Sequence, residues 1–597
     1  MEFLKTQFKQ NFKFFLYFYS ILGFRLFVSF GLSIGVALLD GLGLAMFLPL
    51  LEMMGGGEKS AGSLGNLNFL LVGLNTLNIS LTITSVLMVM LLFFILKGIV
   101  KFFEGYYKVI LQRHFIRKIR FSQIDLLTDY NYKSFVLDDS GRIQNTVSGE
   151  VNKVLGAYNG YFFAIQGFIM VIVYTGLAFT VNPQFTLLVI IGGILSNFLY
   201  SWIFKKTKAI SKKLTESNHD FQGLLIQKVA FFKYLKATGQ MKDFSCKLKD
   251  KVIEIEEYLK KIGILSSFIN GIREPLVIMV VVAVIILEIN VFGGSINLVL
   301  LSLLFFYRAL TYMMSLQNYW NGFLANHGSL ENMQEFLIKL ESGKEKKGRE
   351  VFRGIENEIV LKGVSFHYQE AVILNNISFS IKKNHTVALV GESGSGKTTL
   401  MNLLSGLVLP DQGTITIDGK SIVDLERNTY QKKIGYITQD PVIFDDTVFN
   451  NVTFWSEPDD ENKRKFWKAV EKASIFDFVK GLPNLENTRL GNNGIMVSGG
   501  QKQRFSIARE LYKEVDLLMM DEATSALDSE TEMIIQDQIA QLKGSLTIII
   551  IAHRLSTVKH ADEIVFIKKG EIHGIGSFKD LQENTIEFKK LVEIQGF

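Results

Sequence analysis

Six apolar segments constrain the fold of this chain more than any other feature. About 20 consecutive apolar residues cross the hydrocarbon of a bilayer as one α-helix. All six segments lie in the first 320 residues of a 597-residue chain whose mean hydropathy is +0.24. They predict an α-helical membrane domain over residues 26–340. The segments are residues 26–52, 80–104, 158–181, 184–205, 262–288 and 296–316.

The charges of the connections predict the orientation. Residues 106–157 and 206–261 are rich in Lys and Arg, whereas the other three connections contain a single basic residue, Lys59. Because basic loops remain on the cytoplasmic side, both termini and both long connections are predicted to face the cytoplasm. The chain is predicted to lie in the inner (cytoplasmic) membrane. Helical periodicity continues through the long connections, with turns predicted near Asn131–Phe135 and Asn218–Leu225.

The N-terminus and the bulk composition narrow the function classes. Residues 1–25 lack a short apolar core with a cleavage site, so they predict an amphipathic helix along the inner membrane face rather than a removed signal peptide. The net charge of +6 fits cytoplasmic loops, and we predict no nucleic-acid partner. A single cysteine, Cys246, excludes an internal disulfide.

Ionisable residues inside the predicted spans suggest a binding site within the membrane domain. A charge in the bilayer is costly unless it is paired or faces water. Four cations at overlapping depth could line a water-filled cavity and bind an anionic headgroup. The alternative is that the lysines reach the membrane interface, while Arg273 pairs with Glu274 or Asp40. The four candidate substrate residues are Lys97, Lys101, Arg273 and Arg308.

A charged stretch separates the membrane half from a soluble half. Residues 341–355 are predicted to be a linker, and residues 356–597 an α/β domain. In that domain an apolar strand, Val387–Val390, leads into GESGSGKT, Gly391–Thr398. This is the pattern of a phosphate-binding loop, in which backbone N–H groups surround the phosphates, Lys397 reaches the β- and γ-phosphates and Thr398 binds Mg²⁺.

A second apolar strand, Val515–Met520, ends in two carboxylates, Asp521 and Glu522. Beside a phosphate loop, one carboxylate can hold Mg²⁺ through water and the other can orient or deprotonate the attacking water. The pair predicts an ATPase site.

The sequence VSGGQKQR, Val497–Arg504, resembles the signature motif of ABC ATPases. With six spans before it, the whole chain resembles an ABC exporter half-transporter. The resemblance implies a head-to-tail homodimer that sandwiches two ATP molecules, with Glu522, His553 and Gln439 as catalytic residues and Mg²⁺ held by Thr398, Gln439 and Asp521. The residues implied to bind ATP are Tyr368, Gly391, Ser393, Gly394, Ser395, Gly396, Lys397, Thr398, Thr399, Ser498, Gly499, Gly500, Gln501 and Asp528.

Two positions depart from that pattern. Val497 replaces the usual leucine of the signature, and Asn492 and Asn493 occupy positions where exporters usually carry a Glu-Arg pair. In the family that acidic residue contacts the cytoplasmic turns of the membrane domain. The second departure therefore concerns coupling rather than ATP chemistry.

The substrate is predicted from a weaker resemblance. Residues Ala37–Met54 resemble a pattern of bacterial flippases and exporters of lipid-linked oligosaccharides and surface polysaccharides. We therefore expect ATP-driven flipping of an anionic, lipid-linked glycan. The alternatives are an exporter of other lipids, peptides or drugs, and an ATP-gated channel or regulatory membrane ATPase.

Overall fold

The computed structural model divides the chain into two compact units. The helical unit comprises Met1–Tyr130 and Leu137–Gly343, and the α/β unit comprises Asn131–Val136 and Lys344–Phe597. The residues that the structure describes are 13–47, 50, 82–181, 183–290, 296–522, 529–552 and 558–594.

Long helices make up the described part of the helical unit. Three of them are long and apolar enough to cross a membrane, at Arg25–Ala45, Ile83–Thr128 and Gly141–Val181. The helices described up to Ser342, including the short helix α4 of the segment that groups with the α/β unit, are α1 (Lys13–Leu22), α2 (Arg25–Ala45), α3 (Ile83–Thr128), α4 (Tyr132–Leu137), α5 (Ser140–Gln144), α6 (Glu150–Val181), α7 (Pro183–Ala230), α8 (Phe232–Ala237), α9 (Met241–Asn290) and α10 (Ile296–Ser342).

An aromatic cluster joins α1 to the longer helices. Phe14, Phe18 and Leu22 recur every four residues along α1 and are buried, whereas Leu16 and Tyr19 are exposed. Because residues four apart share one helix face, α1 has the two faces that its sequence predicts. Phe18 packs among rings of α3 and α6, with centroid distances of 5.1–5.8 Å. Residues 1–12 of the predicted N-terminal helix lie outside the described part of the chain.

Helices α6 and α10 approach each other closely at glycines of α6. A Cβ atom added to Gly160 would lie 2.7 Å from the backbone nitrogen of Phe323 and 2.8 Å from the carbonyl oxygen of Tyr319. At Gly167 an added Cβ would lie 3.0 Å from the Cβ of Leu316. Small residues at these positions let the two backbones pack directly, which is a common way to join helices in a membrane.

One of the two predicted cytoplasmic turns is confirmed. Helix α3 ends at Thr128 and the short helix α4 begins at Tyr132, within the segment that groups with the α/β unit. There the Lys133 Nζ lies 3.0 Å from Asp411 Oδ1 and 4.7 Å from the centroid of the Phe366 ring. These contacts attach α4 to the strands of the α/β unit.

The turn predicted at 218–225 is wrong, because α7 continues without interruption to Ala230. The chain instead turns after Ala237, where Gly239 has a φ of +74°. Gly223, inside the segment predicted to turn, serves close packing: a Cβ added to Gly141 of α5 would lie 2.5 Å from the Gly223 Cα. A glycine inside a helix costs about 1 kcal/mol relative to alanine, which tertiary packing can offset.

Two sheets form the α/β unit. The larger has the strand order β10-β9-β3-β8-β7-β6, and its strands are parallel apart from β10; the smaller has the order β2-β1-β4-β5 and is antiparallel. The strands are β1 (Glu358–Tyr368), β2 (Ala371–Lys382), β3 (Thr386–Val390), β4 (Gln412–Ile417), β5 (Lys420–Ser421), β6 (Ile434–Ile437), β7 (Leu517–Asp521), β8 (Thr547–Ile551), β9 (Glu563–Lys568) and β10 (Glu571–Gly576).

Helices cover the sheets of this unit. Strands β3, β7 and β8 are buried almost throughout, as expected for parallel strands covered on both faces. Phe352 and Ile355, in the second half of the predicted linker, are also buried in this core. The helices are α11 (Lys397–Leu404), α12 (Arg427–Lys432), α13 (Val448–Thr453), α14 (Asp460–Lys472), α15 (Phe476–Lys480), α16 (Gly499–Tyr512), α17 (Ser529–Leu542), α18 (Phe578–Asn584) and α19 (Ile586–Ile594).

Candidate functional site

The loop between β3 and α11 has the shape of an anion-binding site. Gly394 and Gly396 have φ angles of +77° and +101°, a conformation that glycine adopts at little cost. A Cβ atom added to Gly396 would lie 2.6 Å from Leu374 Cδ2 and 3.0 Å from the carbonyl oxygen of Ile373, so both the space and the φ angle favour glycine there. The loop ends at the first turn of α11, where free backbone N–H groups favour negative charge.

Two side chains of this loop fit a phosphate ligand. Lys397 Nζ donates hydrogen bonds of 2.8 Å to the carbonyl oxygens of Gly391 and Glu392. Burial lowers the pKa of Lys397, while the charges of Glu522 and Asp521 partly oppose this effect. The hydroxyl of Ser395 is buried and has no hydrogen-bond partner among the described residues. A bound polyphosphate would supply both the missing partner and negative charge for the ammonium group.

The predicted acidic pair lies at the carboxyl end of β7. Asp521 is the last residue of the strand, and Glu522 follows it with a φ of +48°, an uncommon conformation for a residue with a side chain. Gln439 follows β6, which pairs in parallel with β7, so the two strands end at the same edge of the sheet. The Gln439 Nε2 donates a 2.9 Å hydrogen bond to Glu522 Oε2. The structure thus brings together two residues that lie 83 positions apart in the sequence.

The signature segment begins α16. Ser498 caps this helix: its hydroxyl accepts from the backbone N–H of Gln501, and the Gln501 side chain accepts from the N–H of Ser498. Ser498 and Gly499 are exposed, and a Cβ added to Gly499 would meet no atom within 4 Å. This end of the helix therefore has room for a ligand.

The remaining predicted nucleotide contacts are described only in part. Tyr368 ends β1, and its half-buried ring packs edge-to-face on Phe366 with centroids 4.9 Å apart. Ser393 and Thr398 are exposed on the phosphate loop, and Thr399 is half-buried. Asp528 and His553 lie outside the described residues.

The intramembrane cations have separate surroundings. Lys97 Nζ lies 2.5 Å from Oδ1 of Asp40, whose side chain is 1% exposed and also accepts from the Tyr174 hydroxyl. Asp40 therefore bonds to Lys97. The predicted pairing of Arg273 with Glu274 or Asp40 involves a side chain that lies outside the described part of the chain. Arg308 is half-buried on α10, one turn before Tyr312, which stacks on Tyr174.

Lys101 lines a cavity of about 340 Å³ between α2, α3 and α6. Sequence reasoning missed five further polar residues of this cavity, Ser29, Lys108, Gln112, Asn159 and Gln166. Lys108 was detectable in principle, because it follows Lys101 by two helical turns on the same face. Gln166 carried no local signal. Neither Lys97 nor Arg308 lines this cavity.

The comparisons with known proteins agree with this geometry. The family described as ABC transporter transmembrane region matches residues 26–316, and the family described as ABC transporter matches residues 374–525. The ATP-dependent lipid A-core flippase of Haemophilus influenzae (strain 86-028NP) is 31% identical over 84% of this chain and 86% of its own length. The heterocyst differentiation ATP-binding protein HepA of Nostoc sp. is 28% identical over 83% of this chain and 81% of its own length.

A solved structure shows the same fold. The structure of a bacterial Atm1-family ABC exporter with ATP bound superposes with a TM-score of 0.75 at 21% identity, covering 97% of this chain and 99% of that one. Membrane-length helices joined to a phosphate-binding α/β unit define an ATP-driven membrane transport protein. The chain belongs to the ABC transporter family, with the membrane region and the ATPase domain in one polypeptide. Its ATPase couples ATP hydrolysis to transport, as its sequence predicts.

Proposed function

We propose that this protein is a homodimeric ABC exporter that moves an anionic, lipid-linked substrate from the inner to the outer leaflet of the cytoplasmic membrane. One observation carries the lipid assignment: the similarity to a lipid A-core flippase extends over both the membrane region and the ATPase domain. Cations in the predicted membrane helices support an anionic headgroup. A lipid-linked oligosaccharide, in which phosphate joins lipid to sugar, is the specific substrate that we propose.

The roles of the site residues follow from their positions. ATP, when bound, supplies the phosphoanhydride whose hydrolysis releases free energy. The phosphate loop and Lys397 bind its phosphates, and Tyr368 contacts the adenine ring. Glu522 orients the attacking water and accepts its proton, while Gln439 holds the Glu522 carboxylate in place. The Thr398 hydroxyl, Gln439 and Asp521 offer the oxygen ligands that Mg²⁺ prefers.

A second copy of the chain completes each site. We assign Ser498, Gly499 and Gly500 to the γ-phosphate of ATP held by the partner copy, because the exposed start of α16 presents backbone N–H groups and the Ser498 hydroxyl. His553 and Asp528 keep the roles that the family resemblance predicts. ATP binding would then close the two ATPase domains and hydrolysis would reset them, and α4, through Lys133 and Asp411, would transmit that movement.

The test is ATP-dependent translocation of a fluorescent lipid-linked oligosaccharide in proteoliposomes. The wild type should flip the lipid, and Glu522→Gln should bind ATP but lose both hydrolysis and flipping, because an amide cannot accept the proton of the attacking water. Glu583→Gln, at an exposed position of α18, is the matched control and should behave as the wild type.

Arg308→Ala tests the anionic headgroup, and it should slow flipping more than it slows ATP hydrolysis. A wild type that hydrolyses ATP but flips only other labelled lipids or peptides would contradict the oligosaccharide assignment. Ion flux that requires ATP binding but not hydrolysis would instead favour a channel.

A further inference from the structure

The cavity beside Lys101 is lined by charged and amide side chains and by aromatic rings. Two cations, Lys101 and Lys108, and three amide side chains, Gln112, Asn159 and Gln166, line it from α3 and α6. Tyr158, Phe162 and Phe163 form its apolar wall. A pocket of a few hundred cubic ångströms with few polar groups and an apolar wall is typical of a ligand site.

A buried carboxylate fixes one of the two cations. Glu104 is 3% exposed, and its Oε1 accepts hydrogen bonds from Ser33 Oγ at 2.5 Å and Gln166 Nε2 at 2.8 Å. Lys108 Nζ lies 3.2 Å from the same oxygen and donates to Gln166 Oε1. Two side chains, Glu104 and Gln166, thus hold Lys108 at the cavity, and a prepositioned cation loses little entropy when it binds a ligand.

The second cation is not neutralised in this way. Lys101 is exposed and forms no ion pair with any residue that the structure describes. Two ammonium groups face one carboxylate, so these three residues carry a net charge of +1. The pocket therefore favours an anion.

The position of the pocket along α3 indicates where that anion would lie. At a rise of about 1.5 Å per residue, Lys101 lies about 27 Å from the start of α3 at Ile83, and Lys108 about 37 Å. The hydrocarbon core of a bilayer is about 30 Å thick, so these residues bracket its inner boundary, where lipid phosphates lie. Phe102, Phe103 and Val109 are exposed on the same turns and suit contact with acyl chains.

We infer that this pocket binds the phosphate-bearing headgroup of a lipid in the cytoplasmic leaflet, before that lipid is moved. Lys101 and Lys108 are two turns apart on one helix face, and their long side chains can close on one phosphate or diphosphate from both sides. The aromatic wall contacts the glycerol or sugar beside it. The role in transport rests on the proposed function, whereas headgroup binding does not.

Native mass spectrometry of the full-length, nucleotide-free protein tests the inference without any transport step. The probes are dioleoyl phosphatidic acid, dioleoyl phosphatidylcholine and inorganic pyrophosphate. Phosphatidic acid should bind the wild type more tightly than phosphatidylcholine does. Lys101→Gln should weaken phosphatidic acid binding about tenfold, because a charge-assisted hydrogen bond is lost, and Lys101→Arg should retain it.

Lys213→Gln is the matched control, because Lys213 is an exposed lysine of α7 far along the chain from the pocket, and it should bind as the wild type does. Equal affinity of Lys101→Gln and wild type for phosphatidic acid would overturn the inference, as would equal binding of the two lipids. Pyrophosphate that binds as tightly as the lipid would also overturn it, by assigning the pocket to a soluble anion. If the wild type bound phosphatidic acid as expected but flipped no lipid, the headgroup-binding pocket would be supported and the proposed function would be refuted.

Discussion

The Gln439 side-chain amide donates a 2.9 Å hydrogen bond to the carboxylate of Glu522. Each residue follows a strand of the larger sheet, and those strands, β6 and β7, are neighbours. The amide nitrogen can donate only, so the contact fixes the carboxylate as the acceptor of this hydrogen bond. The arrangement predicts a positioning role for Gln439.

Gln439→Ala should lower the ATP turnover number roughly 10- to 100-fold, because Glu522 loses the donor that orients it. ATP binding should change little, since Lys397 and the phosphate loop remain intact. The measurement is steady-state ATP hydrolysis beside equilibrium nucleotide binding. Gln582→Ala, at an exposed position of α18, is the control. A Gln439→Ala variant with wild-type turnover would show that the hydrogen bond has no role in hydrolysis.

The ATPase site was predictable because its residues belong to short local patterns. The phosphate loop follows one apolar strand and the acidic pair ends another, and parallel strands bring their carboxyl ends to the same edge. The pairing between membrane helices has no such local signal. Asp40 bonds to Lys97, 57 positions away, and to Tyr174, 134 positions away, because of how three helices are rotated against each other.

A buried polar network in the helical unit shows the same limit. Glu150 accepts hydrogen bonds from Asn332 at 2.6 Å and contacts His219 at 2.8 Å, and it lies next to a π-helical turn at Asn145–Gly149. The three residues come from α6, α7 and α10. In the sequence each of these residues is an ordinary polar residue of a predicted cytoplasmic helix, so no pattern indicates that the three belong together.

The Asp40–Lys97 ion pair should stabilise the helical unit. Lys97→Ala leaves a buried carboxylate without its cation, and such a change costs about 3–5 kcal/mol. Thermal unfolding of the full-length protein in detergent measures the effect. Lys101→Ala, one turn along and exposed, should change stability by less than about 0.5 kcal/mol. The double variant Asp40→Asn/Lys97→Gln should recover much of the loss; equal stability of Lys97→Ala and Lys101→Ala would contradict a structural pair.

Asp418 should stabilise the hairpin between β4 and β5 in a pH-dependent way. Its carboxylate accepts three hydrogen bonds, from the backbone N–H groups of Glu356, Asn357 and Glu358, at 2.7–2.9 Å. Partial burial opposes ionisation, but these donors outweigh it and hold the pKa of Asp418 below its usual value. The stabilisation by the ionised Asp418 carboxylate is therefore complete above the unfolded-state pKa of about 3.9. It is lost as the pH falls through the lower folded-state pKa.

Asp418→Asn should consequently lower the free energy of unfolding by about 1 kcal/mol at neutral pH. The effect is no larger because Asp418 is only half-buried and solvent screens its charge. The difference from the wild type should shrink as the pH falls below about 4, where the wild-type carboxylate becomes protonated. Urea unfolding followed by fluorescence at several pH values measures both effects. A difference that stays constant down to the lowest pH would rule out the ionised carboxylate as its source.

Two glycines of α6 should respond in opposite directions to the same substitution. Gly160→Ala places a methyl group 2.7 Å from the backbone of Phe323, so α6 and α10 must separate, at a cost of about 1–3 kcal/mol. Gly176→Ala is the matched control, because a Cβ there meets no atom within 4 Å. Alanine is the better helix former by about 1 kcal/mol, so this variant should be neutral or more stable. The midpoint of thermal unfolding should therefore fall for Gly160→Ala and hold or rise for Gly176→Ala. If both midpoints shifted alike, helix propensity rather than the contact between α6 and α10 would set the effect.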